Sequence, residues 1–165
     1  VTSMLTIGTA RVEDIDTLAR KMRKADRREA SRAFPHATPA EAVELSSSLS
    51  KILLSARTRK DKPVALAGVA GPLGGGEGAA WMITTNWVYK HPVPFLRRSG
   101  EVLSEMFKRS GCHTFTNLVD CQNTLHIRWL TWMGAEWDNP MMLHGFPFQR
   151  FYLRQERLRH VHRDS

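Results

Sequence analysis

Cys112, His113 and Cys121 form the tightest grouping of metal-capable side chains in the sequence. A structural zinc site draws four ligands from short paired spacings, and an adjacent Cys-His followed by a distant Cys offers no such pairing. His160 and His162 lie in a polar tail, so no metal site is expected. The two cysteines flank the strand-like run Thr114–Asp120. An extended segment of that length holds them too far apart for a disulfide, so both are expected as free thiols. Trp129, Trp132 and Trp137 invite a stacking platform for single-stranded nucleic acid. Trp129 shares a helix face with Met133, whereas Trp132 and Trp137 turn elsewhere, so most of this aromatic surface reads as core. His126 lies in the same amphipathic stretch and reads as a packed or capping residue.

Charge is the next chemical signal. The chain has 165 residues and a formal net charge of +8, a balance that suits an anionic partner such as nucleic acid or an acidic protein surface. Arg20, Lys24, Arg27 and Arg28 can share one side of the first helical segment. Asp26 and Glu29 interrupt that side, which fits a solvated face equally well. Hydrophobic content of 42% and charged content of 24% belong to an ordinary globular chain with one core. No apolar run approaches the roughly 18 residues of a membrane span.

The elements that must position these groups follow from periodicity. Met4–Arg11 reads as an opening strand. Val12 begins a helix with acidic residues in its first turn, and Ile15, Leu18, Ala19 and Met22 recur at helical spacing. Phe34-Pro-His-Ala-Thr-Pro39 breaks it. Thr38 then caps a second helix with Pro39 at its first position and Glu41 completing a capping box. That helix is expected to run to about Arg57 on a stripe of Ala42, Leu45, Leu49, Ile52 and Leu53. Val64–Ala70 and Ala79–Val88 read as strands joined by the glycine-rich turn Gly71–Gly78. A third helix covers about Phe95 to Lys108, with Gly111 as its stop. Thr114–Asp120 is a strand, Asn123 to Gly134 a short helix, and Phe146 to Arg154 an aromatic last strand. The reading is one domain over 1–155 and a polar tail over 156–165, in the order β-α-α-β-β-α-β-α-β.

This order, with Asn123 at a strand–helix junction and a helix ending Met133-Gly134, resembles the GNAT acyltransferase fold. The resemblance implies an α/β (α+β) domain with a central twisted mixed sheet and about four flanking helices. It also implies a splayed gap between two central strands that holds acetyl-coenzyme A. Four segments resemble a phage-encoded branch of the fold, the internal virion or head-morphogenesis proteins of short-tailed phages. They are Ala25-Asp-Arg-Arg-Glu29 with Thr38-Pro-Ala-Glu-Ala42; Trp81-Met-Ile-Thr-Thr85; Phe95-Leu-Arg-Arg-Ser99; and Asn117-Leu-Val-Asp120 with Asn123 and His126 to Ala135. That branch implies a role in virion core or head assembly or genome delivery, located in the host cytoplasm and the virion interior. Its partners would be a virion or host protein, and packaged DNA through the basic first helix.

The resemblance also says what an active enzyme needs. A glycine-rich loop should bind the coenzyme pyrophosphate with backbone N–H groups at a helix N-terminus. The matching stretch, Val88-Tyr-Lys-His-Pro-Val-Pro-Phe95, has no glycine, and its prolines each remove a donor. Lys90, Arg97 and Arg98 could supply charge instead, and Asn123 is the one matching coenzyme-contacting position. The general-acid Tyr of many members falls at Leu130, which cannot donate a proton. Tyr89 and Tyr152 are the substitute candidates, and Asp120 is the remaining candidate base, although a helix-capping role fits Asp120 better. The expectation is a degenerate coenzyme site needing no cofactor. The alternatives are an active N-acetyltransferase using acetyl-coenzyme A on a host or phage protein amine, or a basic DNA-binding accessory protein.

Overall fold

A computed structural model describes residues 4–160. The chain forms β1 (Leu5–Thr9), α1 (Val12–Lys21), α2 (Lys24–Ala33), α3 (Pro39–Leu49), β2 (Ser50–Thr58), β3 (Pro63–Ala70) and β4 (Glu77–Thr84). It continues with α4 (Trp87–Lys90), α5 (Pro92–Ser110), β5 (Thr114–Asp120), α6 (Thr124–Met133), β6 (Glu136–Trp137), β7 (Met141–Leu143) and β8 (Phe146–Arg154). The sheet order is β1-β2-β3-β4-β5-β8-β6, with β7 also on β8. Every pairing is antiparallel except β4 with β5. The mixed α/β sheet expected from the sequence is therefore present, with more helices and short strands than expected. Among the described residues no helix is long and apolar enough to cross a membrane.

The local signals explain the ends of several elements. The Thr38 hydroxyl accepts from the Glu41 amide at 3.1 Å, and the Glu41 carboxylate accepts from the Thr38 amide at 3.3 Å. This is the reciprocal cap expected of that sequence. Gly134 ends α6 at φ 111°, a left-handed conformation that favours glycine. A methyl group there would also stand 2.4 Å from the Arg157 carbonyl oxygen. The tail is thus held against this helix end. The Arg159 amide bonds the Met133 carbonyl at 2.9 Å, and the His160 ring stacks on Trp132 at 3.7 Å. The polar tail expected from 156 onward is docked as far as His160.

Helices cover both faces of the sheet. Leu18, Ala19 and Met22 of the first helical segment meet Val43, Leu66 and Ile83 on one side. Leu103, Met106 and Phe107 of α5, with Trp129, Leu130 and Met133 of α6, meet Ala67, Phe115 and Leu153 on the other. Burying a side chain of this size contributes about 1.5–3 kcal/mol. Double-sided cover is also why β2 escaped detection. Leu54, Ser55, Ala56 and Arg57 are all buried, so the strand lacks alternation. The helix expected to reach Arg57 stops at Leu49, because pairing with β1 and β3 outweighs the local helical spacing. Arg57 ion-pairs with Asp14 of α1, which also accepts from Ser55 at 2.8 Å. Burial opposes the Asp14 carboxylate, but bonds from Arg57, the Arg11 amide and Ser55 outweigh it and hold its pKa below the ordinary value.

The first helical segment is two helices rather than one. At Met22–Arg23 the chain turns extended, and the Arg23 amide donates to the Thr84 carbonyl at 2.8 Å while Met22 bridges Thr85. The chain's own backbone thereby pairs with the end of β4. The expected strand over Ala79–Val88 correspondingly ends at Thr84, and Trp87–Lys90 form the short helix α4.

Candidate functional site

β4 and β5 pair at only three positions, from Glu77–Thr114 to Ala79–Thr116. Beyond them the Asn117 side chain donates to the Ala80 carbonyl at 3.1 Å, and the strands then part. The parting leaves a V between Ala80–Thr84 and Leu118–Asp120, closed at its narrow end by Phe115. A cavity of about 320 Å³ lies in it, lined by Met82, Val119, Trp129 and Phe148 among others, with Asp26, Glu29 and His126 also on its wall.

The open end of the V is bridged by Arg23. Its side chain is 1% exposed. The guanidinium donates to both Asp26 oxygens at 3.1 and 2.7 Å, to the Asn123 amide oxygen at 3.2 Å and to the Tyr89 hydroxyl at 3.0 Å. Asp26 also accepts from the Thr84 amide at 3.1 Å and from the Asn123 amide nitrogen at 3.2 Å. Arg23, Asp26 and Asn123 thus satisfy one another across the gap, from the end of β4 to the start of α6. A buried ion pair of this kind is held by geometry, because desolvation takes back most of its Coulomb gain.

A second set of acids sits beside it. One Glu29 oxygen accepts from the Asp120 amide at 2.8 Å and from Asn123 at 3.3 Å. Asp120 ion-pairs with Arg32 at 3.0 Å and accepts from the Gln122 amide at 2.9 Å. Burial pushes the Glu29 pKa up to about 8, and the neighbouring Asp26 and Asp120 charges add to the rise. The carboxyl is thus mostly protonated at neutral pH. Burial pushes His126 the other way, below its ordinary value, and its Nε2 has no hydrogen-bond partner, lying 3.6 Å from Asp26.

A stability test follows from Glu29. Its ordinary value is 4.5 and its folded value about 8. The folded state therefore binds the extra proton between these values. The resulting stabilisation is full below pH 4.5 and is lost as pH rises through 8. Glu29→Gln should remove this dependence. Between pH 5 and pH 8 the urea midpoint of the native protein should fall relative to the variant, and a constant difference would contradict the assignment.

The residues expected from the sequence are only partly brought together. Asn123 is 1% exposed, but its amide is engaged by Arg23, Asp26 and Glu29. Tyr89 reaches the same network, yet its ring is 55% exposed and its hydroxyl accepts from Arg23. Asp120 is buried, and its bond to the Gln122 amide closes a turn two residues on, ahead of α6; Asn123 is the N-cap of that helix and no side chain caps it, so the capping role expected of Asp120 is not what the structure shows. Lys90 and Arg97 are exposed. Arg98 turns to the Leu5 carbonyl and Glu101, toward β1 and away from the gap. Leu130, at the general-acid position, is packed in the core.

Sequence reasoning missed Arg23, Asp26 and Glu29, which read as parts of a solvated basic face. The available signal was the i, i+3 pair of carboxylates in an otherwise basic segment. The first turn of α5 gives the remaining chemistry. Pro92 and Pro94 have no N–H, and the Phe95 amide bonds His91, so Val93 alone offers a free donor from that turn. Pyrophosphate would meet one amide where a cradle needs several. Among the described residues no group of three or more His, Cys, Asp or Glu is placed to hold a metal ion.

No family model matches the chain, and no curated protein matches it in sequence. Solved structures do match its shape. A spermidine N-acetyltransferase from Vibrio cholerae, in complex with CoA and spermine, superposes with a TM-score of 0.68 at 13% identity, covering 94% of this chain and 98% of that one. A GNAT-family acetyltransferase from Bacillus anthracis gives 0.67 at 11% identity, covering 94% and 98%. The chain therefore has the GNAT fold over nearly its whole described length.

Proposed function

We propose that this GNAT-fold chain works without acetyl-coenzyme A, as an assembly or genome-delivery component of a short-tailed phage particle. The observation that carries the first half is the Arg23–Asp26–Asn123 bridge. It occupies the open end of the V, and the Met22–Arg23 backbone takes the end of β4 as its strand partner. Leu130 and the proline-interrupted first turn of α5 support the same reading. The second half rests on the sequence resemblance of four segments alone, whereas the solved structures of similar shape favour the acyltransferase reading given next. The exposed Arg20, Lys24 and Arg28 offer a face for packaged DNA. Purified particles and assembly intermediates should contain the protein by mass spectrometry, and its absence from both would overturn the virion role. DNA affinity should fall steeply with salt, and a flat response would remove DNA as a partner.

A second reading is an active N-acyltransferase. It is favoured by Glu29, a carboxyl with a pKa of about 8 on a cavity wall, which suits a general base. The solved structures similar in shape include a spermidine N-acetyltransferase and a GNAT-family acetyltransferase. Acetyl transfer to polyamines or to lysine peptides, abolished by Glu29→Gln, would establish this reading in place of the first.

A further inference from the structure

α2 is the one wall of the cavity that apolar packing does not hold. Its sequence, Lys24-Ala-Asp-Arg-Arg-Glu-Ala-Ser-Arg-Ala33, has no apolar side chain larger than alanine. Among the described residues none of it joins the three apolar clusters of the core, and Asp26 is its one buried residue. Asp26, Glu29, Ala30 and Ala33 stand on the cavity wall, so the side that a surface helix ordinarily packs on a core faces the cavity instead. A helix of 10 residues without such packing is marginal in water.

Polar contacts to one short segment hold it in place. Asp26, Glu29 and Arg32 recur at i, i+3 and i+6, on one face. All three reach Asp120–Asn123, between the end of β5 and the start of α6. Asp26 accepts from the Asn123 amide nitrogen at 3.2 Å, and Glu29 accepts from the Asp120 amide at 2.8 Å and from Asn123 at 3.3 Å. Arg32 donates to Asp120 and to the Gln122 side-chain oxygen, both at 3.0 Å, and Arg28 donates to the Gln122 carbonyl at 3.2 Å. The helix is broken at both ends. Met22 and Arg23 are extended at ψ 151° and 149°, and Phe34 leaves the helix at φ −127° and ψ 72°. The anchors lie outside α2. The Arg23 amide is tied to the Thr84 carbonyl, and Val43 fixes α3 in the core. Arg23 is matched to Asp26 and Arg32 to Asp120, which leaves Glu29 with no ion pair among the described residues.

We propose that α2 is a lid over the cavity, latched to Asp120–Asn123 through Asp26, Glu29 and Arg32, and that loss of the Glu29 proton releases it as a unit about Met22–Arg23 and Phe34. Once charged, Glu29 faces Asp26 and Asp120 while both guanidinium groups are already engaged, and water solvates it better than the closed latch does. The other charged and titratable groups around it are Arg28 and Arg32 on α2, Arg23 before it, Tyr89 on α4, Cys121 after β5 and His126 on α6. With the lid shut the Glu29 pKa is about 8, and in water it returns toward the ordinary 4.5. The closed position is therefore favoured in full below pH 4.5, and its advantage falls about tenfold per pH unit up to 8. The lid is built from the chain's own residues and opens in the same way whether or not coenzyme enters the gap.

Hydrogen–deuterium exchange of the full chain, followed by mass spectrometry and corrected at each pH for the intrinsic exchange rate, tests the lid. Peptides within 24–37 should be protected at least about tenfold less than those of β3 and α5, which marks an opening short of unfolding. Their protection should fall about tenfold from pH 6 to pH 7. Glu29→Gln keeps the size of the side chain without its charge, so it should hold α2 closed and remove the pH slope. Arg32→Gln leaves Glu29 in place but takes the cation from Asp120, so it should lower α2 protection at pH 6 at least about tenfold and keep the slope. Equal protection of α2 and β3 would assign its exchange to unfolding of the whole chain and overturn the lid. A flat α2 response from pH 6 to pH 7, or an unchanged slope in Glu29→Gln, would overturn the role of the Glu29 proton.

Discussion

Replacing Arg23 with Met should lower the stability of the fold by about 3–5 kcal/mol, the range for a buried ion pair that loses one partner. The loss comes from Asp26. Its carboxylate is 1% exposed and would keep only the Thr84 and Asn123 donors. Urea denaturation at pH 7 measures the change. Exchanging both partners, Arg23→Met with Asp26→Leu, should recover most of the loss, because no uncompensated charge stays buried. A single-variant loss below about 1 kcal/mol would place the pair in the class of exposed ion pairs and contradict its bridging role.

Phe115→Ala should cost a similar amount, about 3–5 kcal/mol, for a different reason. Phe115 is fully buried at the narrow end of the V, paired with Gly78 across the parallel junction and with Leu153 on β8. Its ring stacks on Phe107 with centroids 3.8 Å apart. Truncation removes that contact and extends the existing cavity toward α5. Phe115→Leu keeps most of the volume and should cost less than half as much. Equal losses for the two variants would mean that the ring fills no space the sheet depends on.

The strands and helices marked by strong local chemistry were legible in the sequence. The Thr38–Glu41 cap, the Gly134 stop and the Asn123 helix start all stand where the residues place them. β2 was not legible, because Leu54 to Arg57 are all buried and so show no alternation, and its pairing with β1 lies far back in the sequence. The break at Met22–Arg23 was hidden for a related reason. Arg23 looks like one more surface cation until the Thr84 carbonyl and Asp26 are brought beside it. The missing phosphate cradle could be read directly, because Pro92 and Pro94 remove donors whatever the surroundings. The acid cluster could not, since Asp26 and Glu29 acquire their character only when Asn123 and Asp120 fold onto them.

The coenzyme-free proposal turns on the bridge that Arg23, Asp26 and Asn123 make across the open end of the gap. Isothermal titration of acetyl-coenzyme A into the full chain tests it most directly. No binding heat is expected up to millimolar concentration. Micromolar binding that is lost in Asn123→Ala and in Arg97→Ala would contradict it.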